Sequence, residues 1–287
     1  MLDLARERVD TQHYHRGPSL PDSVSDQFPA VVKRRSNNRH GRDAYRHPGA
    51  RAATISSPIV MNERRIADDV MIMSFPWRTL GIDFRRNVTL LRFADGRVVV
   101  HSTAPFTEQD IAAIRRFGEP SWLVEATLMH DTFAKEGRAA LPDIPSLAPD
   151  GFAKASGVQT ESLLPPPQDW DGEIDVFKID GVRMNEHALF HRRSRTLVVA
   201  DLFFSFPEET SGWPRFFVRH VMGLPRLFGI SFFYRRLIIR DKLAFERSMH
   251  TLLNLDFERI IVAHWKPLET DARRAVEQAL TDCKLLS

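Results

Sequence analysis

Residues 88–101 form the sequence VTLLRFADGRVVVH, in which two apolar runs flank Asp95-Gly96. Runs rich in valine and leucine are typical of buried strands. An Asp-Gly pair between two such runs indicates a tight hairpin, because glycine adopts the positive φ that the turn needs. The stretch therefore predicts antiparallel strands at Val88–Phe93 and Val98–Val100. The apolar run Val70–Phe75 predicts a further strand before them.

The segment after this hairpin predicts helices that alternate with a strand. The Thr107 hydroxyl can cap a helix whose first turn is acidic and whose apolar residues recur at helical spacing. Trp122–Ala126 then predicts a buried strand, and Asp131–Ala139 a second helix.

The second half of the chain also contains predicted strands followed by helices. Its predicted elements are strands at Ile174–Ile179, Ala188–His191, Thr196–Ala200 and Arg259–Ala263, a helical aromatic section at Trp213–Leu255, and a closing helix at Thr270–Cys283. Strand pairs with helices in two similar halves favour a layered α/β or α+β fold, with the helices outside a sheet core.

The composition is that of an ordinary globular protein, with 287 residues of which 43% are hydrophobic and 27% charged. The single cysteine, Cys283, excludes an internal disulfide and a cysteine-based structural zinc site. No apolar stretch reaches the roughly 20 residues of a membrane-spanning helix, and the start of the chain lacks the apolar core of a signal peptide. We therefore expect a cytoplasmic protein without a transmembrane span.

Residues 1–60 differ in charge from the remainder of the chain. They carry ten Lys or Arg and six Asp or Glu, whereas residues 61–287 carry 30 and 31. They also contain only 11 Leu, Ile, Val or Phe, too few to offset the entropy of ordering. They predict a disordered basic leader, or an extension upstream of a start at Met61, before a folded domain at 61–287. The near-neutral balance of that domain argues against nucleic-acid binding by it.

Three polar residues stand just after apolar strand patterns: His130, Asp201 and His264. Side chains at strand ends are held by the rigid sheet and reach into the loops, where sites are commonly built. Two imidazoles and one carboxylate suit zinc, iron or manganese, with positions left for water and substrate. The same residues would also be compatible with turn, cap or packing roles.

Four motifs follow one another between Val70 and Cys283: GRVVVHSTAPFT, TLMHDTF, HRRSRTLVVADLFF and RIIVAHW. Their order resembles that of the metallo-β-lactamase superfamily. It is closer still to a branch of unknown function in which a dGxLxVHSP-type segment and a HrxSrTLxxxDLxF segment recur. The resemblance implies an α+β fold, a four-layer αβ/βα sandwich. It also implies hydrolysis at one or two metal ions, the chemistry of most active members.

The metal motif of this superfamily, Thr-His-X-His-X-Asp-His, is altered here. It corresponds to residues 127–133, TLMHDTF, in which His130 takes the place of the second histidine. Leu128, Thr132 and Phe133 replace the other two histidines and the aspartate. The superfamily's next histidine would fall near Gly181 and is absent from that position.

The remaining superfamily ligands are present. The resemblance assigns the bridging aspartate to Asp201 and the last histidine to His264, which with His130 makes three ligands. A dinuclear site needs five or six. Three further side chains could substitute for missing ligands: Asp131, His187 and His191.

The incomplete ligand set leaves two functions open. With one zinc, iron or manganese ion, the protein would be a mononuclear hydrolase of an unknown small molecule, with Asp201 or Asp131 as the base. Without a metal, Leu128 and Phe133 would line an apolar pocket in a catalytically inactive binding or scaffold protein of the same fold.

Residues 211–240 contain six arginines among aromatic residues and no acidic residue. They predict the start of a helical cap, 211–255, over the pocket. Such a segment could also contact an anionic membrane surface, because arginine stems cover apolar surface while the guanidinium groups stay in water.

Overall fold

The computed structural model describes residues 63–79, 81–224 and 226–286. The predicted basic leader, residues 1–60, lies outside the described residues. No helix within the described part of the chain is long and apolar enough to cross a membrane.

The described residues form fifteen strands and six α-helices. The strands are β1 (Glu63–Ala67), β2 (Val70–Phe75), β3 (Arg78–Thr79), β4 (Ile82–Asp83), β5 (Arg86–Arg92), β6 (Arg97–His101), β7 (Glu119–Val124), β8 (Ser146–Ala148), β9 (Glu161–Ser162), β10 (Ile174–Lys178), β11 (His187–His191), β12 (Thr196–Val198), β13 (Phe204–Ser205), β14 (Phe228–Gly229) and β15 (Arg259–Ile261). The helices are α1 (Glu108–Phe117), α2 (Ala134–Ala140), α3 (Phe152–Ser156), α4 (Gly212–Phe216), α5 (Lys242–Leu253) and α6 (Ala272–Asp282).

Seven strands form the first sheet, in the order β1-β2-β5-β6-β7-β8-β9. The predicted hairpin is confirmed, because β5 and β6 pair antiparallel and Gly96 in their turn has a φ of 91°. The chain then crosses through α1 to β7, which pairs with β6 in parallel. Thr107 caps α1 as predicted: its hydroxyl accepts the backbone N–H of Asp110, whose carboxylate accepts the backbone N–H of Thr107.

Four strands form the second sheet, in the order β10-β11-β12-β15. The pairs β10–β11 and β11–β12 are antiparallel, as the alternation of apolar runs and turn residues in this region predicts. The last pair, β12–β15, is parallel, and α5 lies in the long connection between its strands. The carboxyl ends of β12 and β15 therefore lie side by side.

Three hydrophobic clusters stack the elements into four layers. Residues of both sheets, among them Val99, Val124 and Val198, form the cluster between the sheets. The opposite face of the first sheet packs on Ile114 and Phe117 of α1. The opposite face of the second sheet packs on α5 and α6. The predicted αβ/βα sandwich is confirmed, since each sheet buries one face on its partner and one on helices.

The segment between β12 and β15 is less regular than the helical section that its composition predicts. It contains the short strands β13 and β14, the short helix α4, and π-helical segments at Phe217–Val221 and Tyr234–Ile238. By contrast, α5 is a regular helix of the outer layer, where Phe245 and Met249 are buried in the core. Glycine and proline punctuate residues 211–230, which explains why long helices do not form there.

Candidate metal centre

Three polar residues lie just beyond the carboxyl ends of buried strands. His130 follows β7 in the first sheet, whereas Asp201 and His264 follow the neighbouring strands β12 and β15 of the second sheet. The two sheets are joined at this rim by Asn87 on β5, which donates hydrogen bonds of 2.9 and 2.8 Å to two backbone carbonyl groups that flank His264. The sandwich thus brings residues from both sheets to one point.

The side chains of these three residues converge. One ligand atom from each lies within 4.8 Å of the other two. Asp201 Oδ1 is 3.4 Å from His130 Nε2 and 3.3 Å from His264 Nε2. Four ligands placed tetrahedrally at about 2.1 Å from a zinc ion lie about 3.4 Å from one another. The two nitrogen–oxygen separations therefore have the length expected around one metal ion.

The backbone fixes the protonation of the His264 ring. Its Nδ1 lies 2.6 Å from the carbonyl oxygen of Arg85, and because a carbonyl oxygen only accepts, Nδ1 carries the proton. When the ring carries no second proton, Nε2 presents a lone pair to the Asp201 carboxylate. Two acceptor atoms 3.3 Å apart repel each other unless a metal ion or a second proton lies between them. The pair therefore fits a cation.

Aromatic side chains hold the His264 ring in place. Phe204 stacks on the ring at 5.6 Å between centroids with an interplanar angle of 9°, and Trp77 stacks at 5.1 Å. Phe84 meets it at 6.3 Å with an interplanar angle of 77°. These contacts restrict the ring to one orientation and shield it from water.

A buried acidic side chain, Glu125, lies near His130. Glu125 Oε2 lies 3.9 Å from His130 Nδ1, and neither atom has a hydrogen-bond partner. The other Glu125 oxygen accepts a 2.5 Å hydrogen bond from the Thr103 hydroxyl. Burial is the main cause that lowers the pKa of His130 to about 4, so that its ring is neutral at pH 7 and able to bind a metal.

Arg86 supplies a buried positive charge beside these groups. Only 2% of the residue is exposed, and its guanidinium interacts electrostatically with Glu125, Asp201 and Asp131. Burial lowers the pKa of Arg86, although an arginine remains protonated in proteins. Burial also raises the pKa of Glu125 to about 7, against the opposing effect of Arg86. Arg86 thus offsets part of the negative charge that the site concentrates.

Asp201 is held ionised by its neighbours. Burial alone would raise the pKa of Asp201, but interactions with His130 and His264 hold it well below its usual value. A second carboxylate, Glu186, accepts a 2.8 Å hydrogen bond from the backbone N–H of Leu202, the residue that follows Asp201. Asp201, the carboxylate of the predicted ligand set, is therefore ionised, and the hydrogen bond to Leu202 anchors the backbone next to it.

The other candidate ligands lie outside this cluster. Asp131 is exposed immediately after His130. His187 is buried with Nδ1 3.1 Å from the backbone oxygen of Asn185. His191 is buried with Nδ1 2.7 Å from the Ser194 hydroxyl. Within the described residues, the converging group consists of the first three candidates alone.

The residues that replace superfamily ligands have structural roles. Leu128 packs on a hydrophobic cluster formed by α2, β8 and α3, and the Phe133 ring lies 6.0 Å from the Arg86 guanidinium carbon. Gly181 has a φ of 75°, and a Cβ atom there would collide with the backbone oxygen of Asp241. A histidine at this position would therefore clash with the start of α5.

Three residues near the site, Glu125, Arg86 and Glu186, were not predicted from the sequence. A signal for Glu125 was present, since it is an acidic residue inside the apolar run Trp122–Ala126 and a buried strand does not carry an unpaired charge. No comparable signal marks Arg86 or Glu186, whose neighbours in sequence are polar.

The fold is the metallo-β-lactamase fold, and the similar solved structures described below are metallo-β-lactamases. No protein-family model matches the sequence, and no curated protein matches it. The DIM-1 metallo-β-lactamase is 16% identical, with a TM-score of 0.52 over 77% of this chain and 97% of the other. The metallo-β-lactamase from Erythrobacter litoralis is 14% identical, with a TM-score of 0.54 over 76% and 94%.

One of these similar structures was solved in a mono-zinc form. It is the metallo-β-lactamase FIM-1 from Pseudomonas aeruginosa, which is 12% identical, with a TM-score of 0.50 over 77% of this chain and 95% of the other. The TM-scores establish the common fold. Sequence identities this low do not establish a common activity, so the activity of this chain must be argued from its own residues.

Proposed function

We propose that the protein binds one divalent zinc, iron or manganese ion through His130, Asp201 and His264, and that it is a metal-dependent hydrolase of a small molecule. The observation that carries this proposal is the 3.3 Å approach of His264 Nε2 to the Asp201 carboxylate, in a ring whose Nδ1 donates to the backbone of Arg85. A metal ion between the two would turn their repulsion into coordination, and His130 would supply the third ligand.

A bound ion of this class supplies Lewis acidity and makes water a nucleophile at neutral pH. The chain's own residues divide the remaining work. The backbone of Arg85 keeps the proton of His264 on Nδ1, and Glu125 lies beside His130 Nδ1, where it can orient that ring. Phe204 and Trp77 keep water from the His264 ring.

Asp131 is the residue we propose as general base. Asp201 faces two imidazoles, so its carboxylate is already engaged. Asp131 adjoins His130 in the chain and is exposed to solvent, where it can take a proton from water and release it.

The second candidate is a binding protein of the same fold without a metal. It is favoured by the fact that Asp201 Oδ1 lies close to both imidazoles. If His264 were doubly protonated, the imidazolium would donate to Asp201 and the cluster would need no metal.

Metal content separates the two candidates. The full-length protein is purified without an affinity tag, reconstituted in turn with Zn²⁺, Mn²⁺ and Fe²⁺, dialysed, and measured by elemental analysis. We expect about one ion per chain, lost in His264→Ala and in Asp201→Asn. Esters, thioesters and phosphodiesters are then screened with the loaded protein.

Two control variants make this measurement specific. His250→Ala removes an exposed histidine on α5 and should leave the metal content unchanged. His13→Ala combined with His15→Ala should also retain the ion, which excludes binding by these two histidines of residues 1–60. Absence of a stoichiometric ion after every reconstitution would reject the hydrolase and leave the metal-free binding protein.

A further inference from the structure

The exposed large apolar side chains are concentrated in one region. Among the described residues, all such side chains except Met129 lie between positions 213 and 243. They are Trp213, Phe216, Phe232, Phe233, Leu237 and Leu243. Single exposed apolar residues are ordinary on protein surfaces, but a group of this size indicates a surface that contacts something apolar.

Two neighbouring segments carry most of this group. The backbone N–H of Phe232 donates a 2.7 Å hydrogen bond to the carbonyl oxygen of Met222, which joins the segment formed by α4 and the π-helical residues after it to the segment before α5. On the first segment Trp213 and Phe216 stack at 5.8 Å, and on the second Phe232 and Phe233 meet edge to face at 6.1 Å. The two pairs of rings therefore lie on segments that a backbone hydrogen bond joins.

Buried residues anchor both segments to the domain. Tyr234 is buried next to the exposed Phe232 and Phe233, and its hydroxyl donates a 2.9 Å hydrogen bond to Glu186. Val218 is also buried, between Phe216 and the exposed Arg219. The outward-facing aromatic rings are thus held by a fixed base, and their exposure does not reflect an unfolded loop.

The charged residues of this stretch of sequence have a single sign, and one of them, Arg226, pairs with Asp282 of α6. Residues 211–240 contain six arginines and no Asp or Glu. The Arg235 and Arg236 guanidinium carbons lie 6.0 and 5.8 Å from the centre of the Phe232 ring. Apolar rings that enter the acyl boundary, beside arginines that meet phosphate groups, are the combination that an anionic bilayer surface attracts.

We propose that this surface, residues 211–240 with Leu243, docks the protein peripherally on an anionic lipid bilayer. A second copy of the chain fits less well, because a twofold interface would place the same arginines against each other. Nucleic acid fits less well because the exposed aliphatic side chains of Leu237 and Leu243 make no stacking contact with bases.

Sedimentation with vesicles tests the proposal on the full-length protein. Vesicles of phosphatidylcholine with one part in three phosphatidylglycerol are compared with pure phosphatidylcholine vesicles. We expect partition onto the anionic vesicles that weakens as sodium chloride is added. Phe232→Ser combined with Phe233→Ser, and separately Arg219→Gln combined with Arg236→Gln, should each lower the partition coefficient about tenfold or more.

The matched control removes two arginines elsewhere. Arg115→Gln combined with Arg116→Gln removes the same charge from exposed positions on α1 and should leave partition unchanged. If the serine variant fails to fold, as judged by circular dichroism, the arginine variant still decides. Three results would each overturn the proposal: no binding to anionic vesicles, equal loss in the α1 control, or a wild-type dimer that becomes monomeric in the variants.

Discussion

His264 Nδ1 donates a 2.6 Å hydrogen bond to the carbonyl oxygen of Arg85, a residue 179 positions earlier in the chain. Arg85 directly precedes β5 in the first sheet, and His264 follows β15 in the second. The bond therefore crosses from one sheet to the other and selects one imidazole tautomer. The fold itself prepares His264 Nε2 as a ligand.

This bond predicts the tautomer of His264. In ¹⁵N-histidine-labelled protein at pH 7.5, two-dimensional NMR should show Nδ1 protonated and Nε2 unprotonated at His264. Addition of Zn²⁺ should shift the Nε2 resonance while Nδ1 stays protonated. A ring protonated on Nε2 in the zinc-treated protein would contradict the proposed ligand atom.

Substitution of Asp131 should lower the catalytic rate without removing the metal ion. Asp131→Asn removes the proposed base and keeps the size of the side chain. We expect the variant to retain its metal ion and to lose kcat by about 10²-fold or more, with a smaller change in KM, because a general base acts in the transition state. Elemental analysis and steady-state kinetics on the same preparation check both parts. Loss of the metal together with kcat would instead make Asp131 a ligand.

The contributions of Arg86 and Glu125 to stability should depend on each other. Arg86→Met should cost about 3–5 kcal/mol of unfolding free energy, because it leaves buried carboxylates without their compensating charge. Glu125→Gln removes one of these carboxylates, so the double variant should be destabilised by less than the sum of the single variants. Urea unfolding of the four proteins measures this difference. Additive effects would show that the two charges do not interact.

The fold was more accessible from sequence than the site. Apolar runs such as Val70–Phe75 and the Asp95-Gly96 turn act locally, so their strand and hairpin structure could be predicted from neighbouring residues. The same apolar patterns placed His130, Asp201 and His264 after strands, and the resemblance to a known superfamily then assigned them as metal ligands. Their convergence depends on how two sheets meet, and that relationship joins positions far apart in the chain.

Arg86, which supports the site, could not be found in this way. Arg86 offsets the charge of Glu125 only because the fold places β5 near that residue. No periodic pattern in the sequence predicts a buried arginine. The irregular segment between β12 and β15 also escaped prediction. Its aromatic and arginine content favours helix as much as loop, and tertiary contacts such as Tyr234 with Glu186 decide its path.

The raised pKa of Glu186 should make the stability of the protein depend on pH. Burial raises its pKa to about 8 in the folded protein, from a usual value near 4.5. Between these two values the folded state keeps a proton that the unfolded state has released. The contribution of Glu186 to stability is therefore complete below about pH 4.5, and it is lost as the pH rises toward 8.

Glu186→Gln cannot titrate and tests this directly. Its amide can still accept from Leu202 and donate to the Tyr234 oxygen, so the variant should match the wild type below about pH 4.5. At higher pH the wild type should lose about 1.4 kcal/mol per pH unit relative to the variant, until about pH 8. Urea unfolding at pH 5, 6, 7 and 8 measures the difference. Glu119→Gln, at an exposed position on β7, should follow the wild type throughout, and parallel curves for wild type and Glu186→Gln would disprove the raised pKa.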